Sequence, residues 1–229
     1  MATDDAQRIR DGLLMVLALA TGATDATAFE RLNHVFASVI TGNLILLGVS
    51  AVGRGGSLAL FSGCALAGYA LGVFVAAPRH QHQQQVWPRS ATVALGLDLA
   101  LLIGFAVGWE IVGGRPGRTV QIALLVMAAG AMGVQSTAVR RLGQVSTTYL
   151  TSTLTGLVES VAVRRWAPSQ TRGLGIIAAA VAGAAGATAL ILYARAWLPA
   201  LQLGPLVVVL AGSRRLIGVP AAGSPAGVS

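Results

Sequence analysis

Several side chains that hold protons, cations or polar solutes stand inside otherwise apolar sequence. Asp25 lies in Gly-Ala-Thr-Asp-Ala, Asn43 in Thr41-Gly-Asn43, and Gln135 in Met-Gly-Val-Gln-Ser136. Thr148, Ser152, Thr155 and Glu159 follow at spacings of 4, 3 and 4, which puts them on one face of a helix. An ionised Asp at mid-membrane costs about 2.5–3.5 kcal/mol on insertion scales, so a carboxylate there has a use or is neutralised. The functional reading of Asp25 is a proton or cation site, or contact with a polar substrate. The bland one is an interfacial Asp, hydrated or paired with Arg31. The Asn43 amide offers donors and an acceptor where a solute sheds water, and Gly42 loosens the backbone beside it. Against this, the Thr hydroxyls can bond their own i−4 carbonyls and Asn43 can join two helices.

These residues recur in register. With an offset of 110, residues 20–48 and 130–158 share eight identities in 29 positions, including Thr27/Thr137, Arg31/Arg141 and Thr41/Thr151. Roughly three would arise by composition in a chain this rich in Ala, Gly and Leu. Asp25 then pairs with Gln135, and Thr41-Gly-Asn43 with Thr151-Ser152-Thr153. A duplicated unit is expected, with the carboxylate and Asn43 in one copy and an amide and a run of hydroxyls in the other.

The elements that carry them are membrane helices. The 229 residues are 55% hydrophobic and 10% charged, with a mean hydropathy of +0.72, against about 25% charged in soluble proteins. Apolar segments fall at about 12–29, 35–53, 57–77, 91–112, 119–139, 145–163, 172–195 and 198–212, most near the ~20 residues that span hydrocarbon. The first is read as a retained transmembrane helix, being longer than a signal-peptide core. The fold class expected is an all-α membrane protein of six to eight transmembrane or re-entrant helices in two internal repeats. One integral-membrane domain covers 1–215: repeat 1 at about 11–77, a linker helix at about 91–112, repeat 2 at about 119–195 and a terminal short helix at about 198–212. A disordered tail is expected at 216–229.

Segments 35–53 and 145–163 carry a polar load that is expensive on a lipid-facing helix. If both cross, the repeats are parallel; if neither does, they are inverted. With a cytoplasmic N-terminus, eight spans place ten Arg inside and six outside, and six spans place eleven inside and five outside. Both favour that orientation, so the count leaves the choice open.

Other function classes have little support. All 16 basic residues are Arg, and they fall singly or in pairs between apolar runs, as topology determinants do, so no nucleic-acid partner is expected. Cys64 is the sole cysteine and a packing residue by its setting. His80 and His82, without further ligands, make a polar loop rather than a metal site. No phosphate-loop, G-x-S-x-G or H-E-x-x-H signature occurs, so no enzyme, cofactor or metal is expected. Gly68 with Gly72, Gly104 with Gly108, and Ala179, Gly183, Ala187 follow four-residue spacing that admits close helix approach. Packing within the chain is the first expectation from them, a homo-oligomer the second.

Asp25-Ala26, Thr41-Gly-Asn-Leu44 with Leu46-Leu47-Gly48, and Met132-Gly-x-Gln135 followed by Arg140, Gly143, Thr147-Thr148, Thr151 and Thr153-Leu154-Thr155 together resemble the YoaK family of bacterial membrane proteins. The resemblance covers nearly the whole chain. Where that family usually has Gly between the threonines of the second block, this chain has Ser152. The resemblance implies a polytopic protein of the bacterial plasma (inner) membrane, in a family of unknown function. The leading functional expectation is a transporter of a small solute or ion. Its site would lie at the repeat interface, lined by Asp25, Thr41, Asn43, Gln135, Ser136, Thr148, Thr151, Ser152, Thr155 and Glu159. The alternative is a membrane interaction or assembly subunit whose polar residues only join helices.

Overall fold

The computed structural model describes residues 2–53, 55–77, 85–142, 150–164 and 168–219, with 2–4 and 168 described by backbone alone. Eight α-helices occupy the described residues: α1 Ala2–Arg31, α2 Ile40–Val52, α3 Gly56–Ala76, α4 Arg89–Ile111, α5 Arg118–Arg141, α6 Leu150–Ala162, α7 Pro168–Tyr193 and α8 Leu198–Ser213. A single 3-10 turn, Arg195–Trp197, precedes α8. Proline punctuates the starts: Pro88 precedes α4, Pro168 opens α7 and Pro199 lies in the first turn of α8, where a missing N–H costs nothing. α1 stops at Arg31 because Asn33 and His34 both take left-handed backbone, with φ of 72° and 59°.

Six helices, all but α2 and α6, are long and apolar enough to cross a bilayer. α2 has 13 residues, about 20 Å of helix against ~30 Å of hydrocarbon, and the described part of α6 also has 13. Among the described residues, the helices of spanning length number six, as in the six-crossing arrangement open from sequence.

Contacts between helices fix their directions. Met15 meets Gly175 and Gly22 meets Ala180, so α1 and α7 run together. Gly68 meets Val126 and Gly72 meets Gly130, so α3 and α5 do too. Leu101, Gly104 and Gly108 meet Gly130, Met127 and Leu124 in turn, which makes α4 and α5 antiparallel. α8 runs against α1, with Gly212 at Leu13 and Gln202 at Thr27. It also runs against α4, since Trp109 donates to the Arg195 carbonyl at one end and Trp87 pairs with Ile217 at the other. The crossings therefore alternate in the order α1, α3, α4, α5, α7, α8, and α5 runs opposite to α1.

The small residues account for these approaches. A Cβ on Gly22, Gly72 or Gly183 would land on the backbone of Ala180, Gly130 or Leu19, so only a bare backbone lets the pairs close. The expected tail also changes its start. Leu216 is buried and Val86 donates its N–H to the Val219 carbonyl, so residues 216–219 belong to the packed chain because an apolar side chain anchors them. Residues 220–229 lie outside the described residues.

Candidate functional site

Two groups of polar side chains emerge. The first closes the turn between α1 and α2. One Asp25 carboxylate oxygen accepts the N–H groups of Ala37 and Ser38 at 2.8 and 2.7 Å, and the other accepts the Ser38 hydroxyl at 2.5 Å. Asn43, fully buried, accepts the Phe36 N–H at 3.0 Å and donates to the Phe36 carbonyl at 2.7 Å. Residues 36–38 precede a helix and have no ladder partners of their own. Two side chains supply the missing partners. Asp25 is thus satisfied by loop backbone and the Ser38 hydroxyl, and the Arg31 carbonyl is instead met by Gln121 from α5.

The second group lies where α1, α4, α5 and α8 meet. Gln135 is 1% exposed and donates to the Thr21 hydroxyl at 2.7 Å. Gln202, also 1% exposed, donates to the Thr27 hydroxyl at 3.2 Å. Thr21 and Thr27 already donate their hydroxyl protons to the Leu17 and Ala23 carbonyls one turn back. Each can only accept from its glutamine, which fixes both amides with nitrogen toward threonine. The two Oε1 atoms are left buried with no hydrogen-bond partner. Asp98 of α4 is 0% exposed, and neither of its carboxylate oxygens has a partner.

Of the residues expected from sequence, Asp25 and Asn43 converge on the 36–38 loop, and Gln135 bonds Thr21, one turn before Asp25 on α1. Ser136 is buried on α5 beside Gln135. Thr41 is exposed. Thr151, Ser152, Thr155 and Glu159 are exposed as well, and they do not join the other residues. The reason is the face that α6 presents to α7: Leu157 and Ser160 are buried, and the Thr153 methyl lies against Gly173, which turns the stripe outward. Thr148, His80 and His82 fall outside the described residues. Thr21, Thr27 and Gln202 were missed by sequence reasoning. Gln202 carried a usable signal, as the one amide in an apolar stretch of membrane length.

The arrangement is that of a polytopic α-helical membrane protein with a polar interior. The family model described as protein of unknown function (DUF1275) matches residues 13–212, and the chain belongs to that family. It is 35% identical over 159 residues to UPF0700 transmembrane protein YoaK of Bacillus subtilis (strain 168), an alignment covering 68% of each chain. No solved structure matches it.

Proposed function

We propose that the chain is a transporter of a small solute or ion in the bacterial plasma membrane, built as an inverted duplication of α1–α4 and α5–α8. The observation that carries the reading is the polar interior at the meeting of α1 and α4 with α5 and α8, two helices from each half. Secondary transporters characteristically place their sites where inverted repeats meet.

The duplication has its own support. α2 at 40–52 and α6 at 150–162 stand 110 residues apart at both ends, the offset of the sequence repeat. Helix pairs come in matching sets when the halves are exchanged: α1·α7 with α3·α5, α1·α8 with α4·α5, and α2·α3 with α6·α7. On this reading the linker helix and the terminal helix are the fourth members of the two repeats. The N-terminus is cytoplasmic in the proposal. Among described residues, Arg8, Arg10, Arg89, Arg140, Arg141, Arg164, Arg172, Arg214 and Arg215 lie toward the N-terminal face, and Arg31, Arg115, Arg118 and Arg195 toward the other.

The role is non-catalytic, since solute movement asks for no nucleophile. Proteoliposomes carrying the purified protein should move protons, alkali cations or a polar solute faster than protein-free vesicles. Folded protein that moves none of a broad panel overturns the reading. The assembly-subunit alternative draws on one observation, that Asp25 and Asn43 are engaged by their own loop. It predicts a stable partner, a second copy included, in mild detergent.

A further inference from the structure

The polar interior has an unusual chemical bias. Its unpartnered atoms are the two carboxylate oxygens of Asp98 and the amide oxygens of Gln135 and Gln202, and all four are acceptors. The helix registers place Asp98 between the two glutamines, Gln135 about half a turn to one side of it and Gln202 one turn to the other. Leu101, Gly104 and Gly108 climb α4 as Gly130, Met127 and Leu124 descend α5. The next turn sets Asp98 against Gly133 and Val134, immediately before Gln135. On α8 the Trp109–Arg195 and Trp87–Ile217 contacts bracket the helix, so Asp98 lies level with Leu206, one turn from Gln202. Both glutamines bond α1, Gln135 at Thr21 and Gln202 at Thr27, six residues further along.

A buried carboxylate with no donor is an expensive arrangement, and buried acceptors that face one another repel. What satisfies all of them together is a positive charge that brings no acceptor of its own. We propose that Asp98, Gln135 and Gln202 form a cation site that takes a proton or a dehydrated alkali cation. A proton makes Asp98 an acid that donates to a glutamine carbonyl; an alkali cation is coordinated by carboxylate and amide oxygens directly.

Among the described residues no fixed cation does this job. On α4 itself Arg89 and Glu110 stand near the two ends. On α5 the charges are Arg118, Arg140 and Arg141, again at the ends, and the Arg141 guanidinium is held by the Ser90 and Ala76 carbonyls. Arg214 and Arg215 follow the end of α8. From α1 the nearest charge is Asp25, whose oxygens are taken by Ala37 and Ser38; Asp11, Glu30 and Arg31 lie further off along that helix. The inference names the ion class for the transport reading and rests on it for its purpose, but binding is measurable without transport.

Dicyclohexylcarbodiimide adds to protonated carboxyls in apolar surroundings and leaves an N-acylurea, which peptide mass spectrometry locates. The full-length protein in detergent is treated from about pH 5 to about pH 9, with sodium chloride or choline chloride at equal ionic strength. Asp98 should be the labelled carboxyl. Labelling that falls with rising pH alone identifies a proton site, and labelling that sodium but not choline suppresses identifies an alkali-cation site. Gln135→Leu and Gln202→Leu keep the carboxyl but remove an acceptor. They should lower the labelling midpoint by about one pH unit, or raise the sodium needed for protection about tenfold.

Absent labelling of Asp98, or labelling indifferent to both pH and sodium, overturns the proposal even if only the wild type folds well enough to test. Unchanged midpoint and protection in both folded glutamine variants also overturns it. Cation-dependent labelling in a protein whose vesicles move nothing leaves the site standing and removes transport. Flux with an indifferent Asp98 does the reverse.

Discussion

Removing the Asp25 carboxylate tests whether this residue anchors the α1–α2 turn. Asp25→Ala takes partners from three donors at once: the N–H groups of Ala37 and Ser38, and the Ser38 hydroxyl. A buried donor left unmade costs about 1–3 kcal/mol, and bonds to a charged acceptor stand at the upper end. Asp25 is only half-buried and the Ser38 hydroxyl can rotate to another acceptor, so about 1.5 kcal/mol, the low end for a charged acceptor, applies to each backbone N–H and little to the hydroxyl. The sum is about 3 kcal/mol, a shift of roughly a hundredfold in the opening of the turn. Asp25→Asn keeps a carbonyl oxygen for both N–H groups and asks Ser38 only to turn from donor to acceptor, so about 1 kcal/mol is expected. Amide exchange at Ala37 and Ser38 in micelles reports the opening directly. It should quicken about a hundredfold for the alanine variant and less than tenfold for the asparagine variant. Unchanged exchange in Asp25→Ala refutes the anchoring argument, because it means the carboxylate was not holding these groups.

Three further outcomes follow from named contacts. Asn43→Ala strips the Phe36 N–H and carbonyl of their side-chain partners and should cost about 2 kcal/mol, read as a drop in detergent thermal stability. Gly72→Val drives a side chain onto the Gly130 backbone and should separate α3 from α5 at a cost of about 2 kcal/mol or more, seen as lower Tm and lower yield, while Gly63→Ala, with open space around it, should change neither. In a Cys64→Ala background, His34→Cys and Arg115→Cys should react with a membrane-impermeant maleimide from one side of oriented vesicles and Arg89→Cys from the other; reaction of His34→Cys and Arg115→Cys from opposite sides means that α2 crosses.

The spans α3, α4, α5, α7 and α8 were readable from sequence to within four residues because a membrane span needs ~20 apolar residues, whereas α1 begins ten residues ahead of its apolar run and α2 five residues after its own. The short length of α2 was foreshadowed by its polar load but not decided by it, because hydropathy does not distinguish a half-helix from a polar-faced crossing. The candidate site was legible at Asp25, Asn43 and Gln135, each an expensive side chain in apolar sequence. What sequence could not supply was the partner. Nothing local says that the Asp25 carboxylate turns to the amides of Ala37 and Ser38, or that Gln135 reaches Thr21 more than a hundred residues away. The stripe of Thr148, Ser152, Thr155 and Glu159 was placed on one helix face, and its described members Ser152, Thr155 and Glu159 are exposed together, yet periodicity gives a face without naming its neighbour. α7 took the opposite one. Asp98 and Gln202 acquire meaning only once four helices from distant sequence are brought together.

The pairing of α1 with α7 also bears on how the chain is made. Gly22 finds Ala180 only after about 160 further residues have been synthesised, on the order of 10–30 s at ordinary ribosomal speeds. Until α5 brings Gln135 to Thr21, α1 sits in the bilayer with Thr21, Thr24 and Thr27 bonded only to their own backbone, and its glycine-flanked face stays uncovered until α7 arrives. Those three back-bonds are what make the wait tolerable, since each hydroxyl proton is satisfied before any partner helix exists. A nascent chain that stops short of α7 therefore presents an inserted but unassembled first half, the form that membrane quality-control proteases recognise. Full-length protein escapes that fate only when its own second half closes over the first.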